Sequence, residues 1–552
     1  MPMRTVCQNA RVLIVGGGPV GLAMAIFLAR LGHRCVVFEK KLPRASSAPK
    51  AHVLNPRSLE ICRSFGIDVQ ALRELSAHET DGNCARFLDR LTGTAFGKLP
   101  LDTPYDAVRP CPSPTPLLNL AQPLFESVLL QHAQTLPEIE VRRGHSFTAC
   151  TSATEGVTVQ IDSPDGAYVE SGSHLVAADG ANSAVRDVLG IAMDGIPAIR
   201  PRVTIHFEAD LRALVRDRPA VLYWILDPAA HGTFICYDAA STWVYTPRVA
   251  PEAFDRADYT HDHCRRLIHA ALGTDQVPVE IRHVVPWMMA AQVAERYAQG
   301  RCFLVGDAAH RFPPTGGFGL NTGIQDAHNL AWKLAAVLEG RAGEALLASY
   351  EAERQPVARI NTAQSVHNAQ KLTGLFALAA DTLAQGPADA GGRAALGAEI
   401  ETHREHFLSE GMQLGFTYGP PVQGAPDPLH YTPSLAPGAR LPHAWFTAAG
   451  ARRSTLDLVD LKRCTLLACQ GHATQWRAAL ADLPECTLAA LPLVVDFESD
   501  WLGAAVLRAG GAILVRPDGH IARVVQRCDA QARAALQASL EGLAFEAAST
   551  AA

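Results

Sequence analysis

A glycine-rich stretch after Gly306-Asp307 carries the residue types best suited to holding a flat ligand. Its glycines let the main chain approach a ligand closely, because no side chain intervenes. The amides of residues 319–321 stand at the predicted start of a helix, where the helix dipole favours negative charge. The stretch therefore predicts a cradle for a ligand on which negative charge develops, although a connector without a ligand is the alternative. The glycines are Gly316, Gly317, Gly319 and Gly323.

A second glycine-rich turn, residues 16–21, lies between a predicted strand and a predicted helix. It has the G-x-G-x-x-G spacing of dinucleotide sites, in which Gly16 makes the tight turn, Gly18 admits a pyrophosphate and Gly21 allows close packing. Glu39 ends the next predicted strand, where an acid accepts hydrogen bonds from a ribose hydroxyl and repels a 2′-phosphate. The expected ligand is FAD or NAD, and the alternative is a turn without a nucleotide.

These motifs need a framework of several domains, because 552 residues exceed the size of one ordinary core. Pro356 is expected to kink or break a long helix, and residues 379–398 are expected to be loose. The predicted units are a discontinuous Rossmann-like domain (1–197 and 291–418, with part of 70–120 joining the next unit), an inserted β-sheet substrate domain (198–290), a proline-rich linker (419–440) and a C-terminal α/β domain (441–552).

The composition is that of a globular protein with a small-molecule partner, since 48% of residues are hydrophobic and 19% are charged. The net charge of −6 has no basic block that would bind nucleic acid. We expect no signal peptide and no membrane span, because no sufficiently long apolar run occurs. The 13 cysteines form no C-x-x-C pair, which favours reduced thiols in a cytoplasm, and no metal-ligand spacing is found.

Together these stretches resemble the FAD-dependent aromatic hydroxylases, the single-component flavoprotein monooxygenases of the phenol hydroxylase and para-hydroxybenzoate hydroxylase type. Three motifs agree in order and spacing: the glycine turn at 16–21, Asp179-Gly180, and Gly306-Asp307 with the stretch that follows. Residues 440–525 resemble the thioredoxin-like domain appended in the phenol hydroxylase branch, so the resemblance covers almost the whole chain. It implies FAD as cofactor, NADPH or NADH as co-substrate, and a homodimer.

The resemblance also implies roles for individual residues. Glu39 would hold the adenosine ribose, Asp307 the ribityl hydroxyls, and Asp179 would link the flavin region to the nicotinamide nucleotide. The amides of residues 319–321 would face the pyrimidine edge of the flavin. The full predicted set for the cofactor is Gly16, Gly18, Val20, Gly21, Glu39, Lys50, Gln122, Asp179, Asp307, Gly319, Leu320 and Asn321.

By the same resemblance, NAD(P)H would reduce FAD, O₂ would add to it, and the flavin hydroperoxide would transfer oxygen to a phenolic or polycyclic aromatic ring. A phenol of pKa about 10 is mostly neutral at pH 7, so a base that favours the phenolate would raise its reactivity. His52 is the candidate base, because it follows directly on the Lys50-Ala51 pair where relatives carry an acid or histidine near the substrate. Tyr223 and Trp224 are candidates for the ring pocket. For all three, a packing role is the alternative.

Two departures from the family pattern bear on function. Lys50 stands where the family usually has arginine, which keeps the charge and loses the planar fork. The C-terminal domain lacks a redox C-x-x-C pair, so a structural or dimer-forming role is expected. Two other functions remain open from the sequence: a Baeyer-Villiger or epoxidising monooxygenase on a polycyclic aromatic, and a flavin-binding interaction protein that has lost turnover.

Overall fold

The computed structural model describes most of the chain. The described ranges are 11–42, 51–76, 82–103, 105, 110–249, 254–386, 390–419, 426–448, 450–483, 485–491, 497–498 and 500–543.

The described residues up to 247 form fifteen strands and six helices. In chain order they are β1 (Val12–Val15), α1 (Pro19–Arg30), β2 (Cys35–Glu39), β3 (Val53–Leu54), α2 (Pro56–Ser64), α3 (Val69–Glu74), β4 (Cys84–Leu88), β5 (Ala95–Pro100), β6 (Leu118–Asn119), α4 (Gln122–Gln134), β7 (Ile139–Arg143), β8 (Ser146–Ala153), β9 (Gly156–Ser163), β10 (Gly166–Gly172), β11 (His174–Ala177), α5 (Ala184–Val188), β12 (Met193–Glu208), α6 (Arg212–Val215), β13 (Leu222–Ile225), β14 (Gly232–Asp238) and β15 (Thr242–Pro247).

The remainder continues with more helix than strand, apart from the last domain. Its elements are α7 (His261–Leu272), β16 (Glu280–Ala294), β17 (Ala298–Gln299), β18 (Cys302–Leu304), β19 (His310–Arg311), α8 (Phe318–Leu338), α9 (Ala345–Ala384), α10 (Ala390–Glu401), α11 (Arg404–Phe407), α12 (Glu410–Leu414), β20 (Trp445–Ala448), β21 (Ala451–Ser454), β22 (Cys464–Cys469), α13 (Ala473–Ala479), β23 (Cys486–Leu491), α14 (Gly503–Arg508), β24 (Ala512–Val515), β25 (Ile521–Val525) and α15 (Ala530–Gly542).

A mixed, mainly parallel sheet of order β17-β18-β11-β1-β2-β7 forms the Rossmann-like part, as predicted. β1, β2, β7, β11 and β18 are parallel, with Val15 opposite both Ala177 and Phe38. Strands buried on both faces read as continuous apolar runs, and VLIV and CVVF are such runs. The carboxyl ends of β1, β11 and β18 therefore meet at one edge, and both glycine-rich motifs begin there.

An eight-stranded sheet of order β19-β16-β12-β15-β14-β13-β4-β5 forms the second layer. Side chains along its strands alternate between the two faces of the sheet, and both faces are covered by helices. Phe234 and Trp243 on one face pack with Ile268 of α7. Trp224 on the other face packs with Leu375 of α9. We call the face toward α9 the α9 face, and it is the one that turns toward the glycine-rich motifs.

The C-terminal domain has a sheet of order β23-β22-β24-β25, in which β23 is parallel and β24 antiparallel to β22. This is the thioredoxin-like arrangement, as predicted. Its β24–β25 turn is buried against α8 and α9, where Arg516 pairs with Glu353 at 2.7 Å and Trp332 donates to Asp518 at 3.2 Å. Arg516 and Lys333 hold the pKa of Glu353 at about 2 although burial alone would raise it.

The region after α8 is more helical than expected. α9 continues through Pro356, so the break expected there is absent, and the described residues of 379–398, which were expected to be loose, include the end of α9 and most of α10. Proline removes one helix hydrogen bond, but tertiary contacts hold the helix on both sides. Arg354 donates to Asp326 at 2.8 Å, and Gln355 donates to the carbonyl of Ala294 at 2.8 Å.

Candidate active site

The cradle is the space at the sheet edge where three loops meet. Gly16 follows β1, Asp179 follows β11, and Gly306-Asp307 follows β18. Gly16 lies directly against Ala178 and Asp179, with φ at +106°, and a Cβ there would clash with the Ala178 carbonyl. Only glycine combines this conformation with this approach.

Close helix packing fixes the cradle from behind. A Cβ on Gly323 of α8 would lie 2.6 Å from the Val20 side chain and 2.9 Å from the Cα of Gly306. Val20 thus fills the contact between α1 and the Gly306 turn, and Gly21 packs as tightly against Gly16. The glycines of both motifs hold the two helix starts at a fixed separation.

A buried carboxylate that the sequence did not reveal braces the Gly306 turn. Asp326 of α8 accepts hydrogen bonds from the Gly306 amide at 3.1 Å, His310 at 2.8 Å and Arg354 at 2.8 Å. Asp326 and Arg354 are fully buried. Burial alone would raise the pKa of Asp326, but Arg354 and His310 hold it below its usual value. The turn that presents Asp307 is therefore tied to two helices.

The acidic residues around the cradle, Glu39 at the end of β2, Asp179 and Asp307, differ in how they are engaged. Glu39 accepts from the Gly17 amide at 2.7 Å, so it closes the glycine turn. One oxygen of Asp179 accepts from the Val185 amide at 3.2 Å, and the other is buried without a partner. Burial raises the pKa of Asp179. Asp307 is exposed beside Gly319.

The start of α8 has free main-chain amides. Its N-cap, Gly317, has φ at +66° and offers no side-chain cap to the first turn. The side chain of Asn321 instead turns back, donating to the carbonyls of Val53 and Gly317 and accepting from the Asn55 amide at 2.9 Å. Leu320 is half-buried against the main core. The β3 segment is thereby locked beside the helix start.

His52 directly precedes β3. Leu120 and Gln122 donate main-chain hydrogen bonds to the His52 and Ala51 carbonyls at 2.7 and 2.9 Å. The Gln122 side chain accepts from the Ala51 amide at 3.2 Å and donates to Glu126, so it positions this loop. Lys50 lies outside the described residues.

The ring of His52 is held in one tautomer by its neighbour. Its Nδ1 lies 2.6 Å from Oδ1 of Asn119, and since an amide oxygen only accepts, Nδ1 donates and Nε2 keeps its lone pair. Burial lowers the pKa of His52, opposed in part by the Asn119 hydrogen bond. The imidazole is therefore a neutral acceptor at pH 7.

Tyr237 of β14 faces His52, and the sequence did not single it out. The two ring centres are 6.1 Å apart with an edge-to-face angle of 89°. The Tyr237 hydroxyl is buried without a partner, as is Nδ2 of Asn119. Strand alternation could have paired Tyr237 with Ile235, but it does not say which face receives a ligand.

The two aromatic residues predicted to line the pocket point in opposite directions. Tyr223 is fully buried on the face toward α7, and its hydroxyl accepts from the Ala220 amide at 2.9 Å and donates to the Arg218 carbonyl. This placement gives Tyr223 a core role. Trp224 lies on the α9 face, stacked on Phe87 at 6.1 Å, with its indole N–H buried and unpartnered.

Two family models match the chain. The model described as FAD binding domain matches residues 9–365, and the one described as aromatic-ring hydroxylase, C-terminal, matches residues 434–544. The chain belongs to the FAD-dependent aromatic-ring hydroxylases. The family predicted from the three motifs is thereby confirmed.

Relatives of this hydroxylase match it from end to end. The 2,4-dichlorophenol 6-monooxygenase of Delftia acidovorans is 32% identical, over 92% of this chain and 94% of its own. The aklavinone 12-hydroxylase RdmE of Streptomyces purpurascens is 34% identical, over 96% and 97%. Among solved structures, the flavin-dependent monooxygenase PieE in complex with FAD and substrate has a TM-score of 0.87 and 33% identity, covering 97% and 99%. A ternary complex of aklavinone-11 hydroxylase with FAD and aklavinone has a TM-score of 0.80 and 30% identity, covering 98% and 99%.

The cradle of the hydroxylase fits FAD. A Cβ on Gly18 would meet no heavy atom within 4 Å, so open space lies beside the start of α1. Neither α1 nor α8 has a side-chain cap, which leaves both helix starts able to receive negative charge. The unpartnered oxygen of Asp179 borders the same region. In the described part of the chain, no helix is long and apolar enough to span a membrane.

Proposed function

We propose that this chain uses NAD(P)H and O₂ to hydroxylate a phenolic or polycyclic aromatic substrate, with His52 as the base at the substrate hydroxyl. The observation that carries the proposal is the pairing of a neutral, oriented His52 with the unpartnered Tyr237 hydroxyl, 6.1 Å apart between ring centres. Both lie beside the β3 segment, which Asn321 ties to the start of α8. The acceptor and the donor would thus stand next to the flavin ring.

In this proposal FAD lies along the cradle. The start of α1, with Gly16, Gly18, Val20 and Gly21, holds the pyrophosphate, and Glu39 holds the adenosine ribose once it exchanges the Gly17 amide for a ribose hydroxyl. Gln122 supports the loop beside the diphosphate, Asp307 accepts from the ribityl hydroxyls, and the amides of residues 319–321 stabilise negative charge on the ring. Bound FAD supplies the redox chemistry, taking electrons from NAD(P)H and activating O₂.

The protein's own part is to orient and activate the ring. Nε2 of His52 accepts the proton of the substrate hydroxyl, while Asn119 holds Nδ1 as a donor. The Tyr237 hydroxyl donates to the same oxygen as it gains negative charge. A ring with a phenolate oxygen is more electron-rich, so it reacts more readily with an electrophilic oxygen.

The assembly and location that we propose are a homodimer in the cytoplasm. Free thiols support the location: the 12 cysteines in the described part of the chain form no disulfide, including Cys464 and Cys469 of the thioredoxin-like domain. Sedimentation of the purified chain measures the assembly state.

The test is product analysis with isotopically labelled O₂. The purified protein with FAD is supplied with NADPH or NADH and a panel of phenols and naphthols, and hydroxylated product and peroxide are both quantified. One labelled oxygen on a ring carbon is expected. Label in a lactone would assign a Baeyer-Villiger reaction instead, and peroxide without labelled product from any phenol would contradict hydroxylation.

A further inference from the structure

Three arginines lie on the α9 face of the substrate sheet. Along β12, Val203, Ile205 and Phe207 pack into the core toward α7, so Arg202, Thr204 and His206 point the other way. The hydrogen bond from the Trp287 indole to Thr204, at 3.0 Å, lies on that face. Arg200 precedes Arg202 by two residues on the same strand, about 7 Å away.

Arg248 joins them from the end of β15. In the β12–β15 pairing Ile205 is opposite Tyr245, and continuing that register brings Arg202 level with Arg248. The Arg248 guanidinium lies 5.1 Å from the centre of the Phe376 ring of α9, which places it on the α9 face as well. We call Arg200, Arg202 and Arg248 the arginine cluster.

No carboxylate of the described residues balances the arginine cluster. None of its guanidinium groups makes a hydrogen bond or an ion pair within the described ranges, and Nε of Arg202 is buried without a partner. Burial, Arg200 and Arg248 together lower the pKa of Arg202 to about 10. The fold therefore places positive charge where desolvation and repulsion both oppose it.

Three arginines with almost no exposed surface are treated differently from the arginine cluster, whose members are partly buried. Arg354 pairs with Asp326 at 2.8 Å, Arg440 with Glu60 at 2.9 Å, and Arg516 with Glu353 at 2.7 Å. A buried charge without a partner costs several kcal/mol, so these pairs follow the usual rule. Within the arginine cluster, Arg202 departs from that rule on the α9 face, since its Nε is buried without a partner among the described residues, which indicates that its partner arrives with a ligand.

We propose that the arginine cluster binds a carboxylate carried by the aromatic substrate, at the end opposite the hydroxyl that His52 receives. The inference rests on the proposed function and names its substrate class: hydroxylated polycyclic aromatic acids. A guanidinium fork matches a carboxylate with two parallel hydrogen bonds.

The spacing on the sheet suits an extended ligand. The Arg248 amide donates to the carbonyl of His231 at 2.8 Å, and Tyr237 follows His231 by six residues. Six residues of strand span about 20 Å, which suits a ligand of several fused rings. Ile235 lies between them, and Phe376 and Trp224 flank the arginine end at 6.2 Å from each other. Apolar side chains thus separate a basic end from a phenol-activating end.

A phosphate of the nicotinamide co-substrate offers the same oxyanion chemistry as a carboxylate. The arginine cluster lies on the same sheet as Tyr237 and the aromatic residues Trp224 and Phe87. This arrangement favours the aromatic substrate, rather than the co-substrate, as the source of the oxyanion. Removal of an arginine should weaken binding of the aromatic acid if the cluster binds the substrate, and binding of the nicotinamide nucleotide if it binds the co-substrate. Experiment can therefore separate the two sources.

The test compares 6-hydroxy-2-naphthoate with its primary amide, 6-hydroxy-2-naphthamide. Dissociation constants come from the change in flavin absorbance, and KM and kcat from hydroxylated product. The wild type is expected to bind the acid about 10- to 100-fold more tightly than the amide, and Arg202→Gln should reduce this preference at least tenfold. Arg248→Gln should reduce it too, and provides a second variant if Arg202→Gln folds poorly. Arg216→Gln, an exposed arginine after α6, should change neither.

The outcomes separate this inference from the proposed function. Equal affinity for acid and amide in the wild type, or failure to bind the acid, overturns the carboxylate site even if the amide is hydroxylated. A preference that survives both arginine variants overturns it as well. A rise in KM for NADPH but not for NADH in Arg202→Gln would assign the cluster to the co-substrate phosphate and contradict the inference. Binding of the acid with no hydroxylated product from either compound would instead count against the proposed function.

Discussion

The FAD cradle and the substrate face, by which we mean the α9 face together with His52 and Asn119 beside it, are built differently. The cradle is main chain: glycines, helix starts and turns whose positions are fixed by packing as close as the contact of Gly323 with Val20. The carboxylate that braces it is fully engaged, as Asp326 accepts from three donors, whereas Asp179 keeps one oxygen without a partner among the described residues. The substrate face is side chain, and several of its polar atoms are buried without a partner, on Asn119, Tyr237, Trp224 and Arg202.

The difference shows how a common cofactor and a variable substrate share one enzyme. A site made of main chain tolerates few substitutions where the packing is closest, since a Cβ at Gly16, Gly21 or Gly323 would collide with a neighbour. A site made of strand side chains can change one residue at a time without disturbing the sheet. Its unpartnered groups cost stability in the free protein, and a ligand that satisfies them regains that free energy.

The largest effect is expected where the cradle is braced. Asp326→Ala leaves Arg354 buried without its partner, which should destabilise the protein by about 3–5 kcal/mol and release FAD. Denaturation midpoint and flavin absorbance measure both effects. The control is Asp194→Ala, which removes an exposed pair with Arg359 at 2.8 Å and should cost less than about 1 kcal/mol. If both variants lost the same amount of stability and FAD, the cradle would not be braced by Asp326 more firmly than the protein surface is by Asp194.

A smaller effect, confined to turnover, is expected at His52. His52→Ala should lower kcat/KM for phenols by about a hundredfold while FAD stays bound. Because burial lowers the pKa of His52 below its usual 6.5, the base stays neutral to lower pH. The acid limb of the wild-type kcat/KM profile should therefore fall below pH 6.5 and disappear in the variant. A variant with the wild-type rate and profile between pH 5 and 9 would exclude His52 as the base.

The smallest effects come from a matched pair of tyrosines on one sheet. Tyr237→Phe should lower kcat/KM about tenfold and leave stability unchanged, because its hydroxyl has no partner in the free protein. Tyr223→Phe should do the reverse, costing about 1 kcal/mol through two lost hydrogen bonds with no change in turnover. Thermal unfolding measures the stability of both variants, and steady-state kinetics measure their turnover. If Tyr223→Phe lowered turnover and Tyr237→Phe lowered stability instead, the substrate pocket would lie on the face toward α7.

The cradle was largely predictable because its glycine spacing encodes main-chain geometry directly. The substrate face was not. Tyr223 and Trp224 are neighbours that point to opposite faces, and only the helices that cover each face, α7 and α9, tell which is core. Asp326 was not predicted from the sequence for a related reason, since its partners His310 and Arg354 come together only in the fold. The helix does not break at Pro356, because tertiary contacts outweigh one lost hydrogen bond.

Flavin titration of Asp307→Ala tests the central claim most directly. Asp307 is exposed beside Gly319, so its loss should leave the fold intact and weaken FAD binding enough to yield mainly apoprotein. Asp165→Ala, in the exposed β9–β10 turn, is the control and should keep FAD at the wild-type level. An Asp307→Ala protein that purifies with full flavin occupancy and wild-type affinity would mean that the cofactor ring does not lie in this cradle.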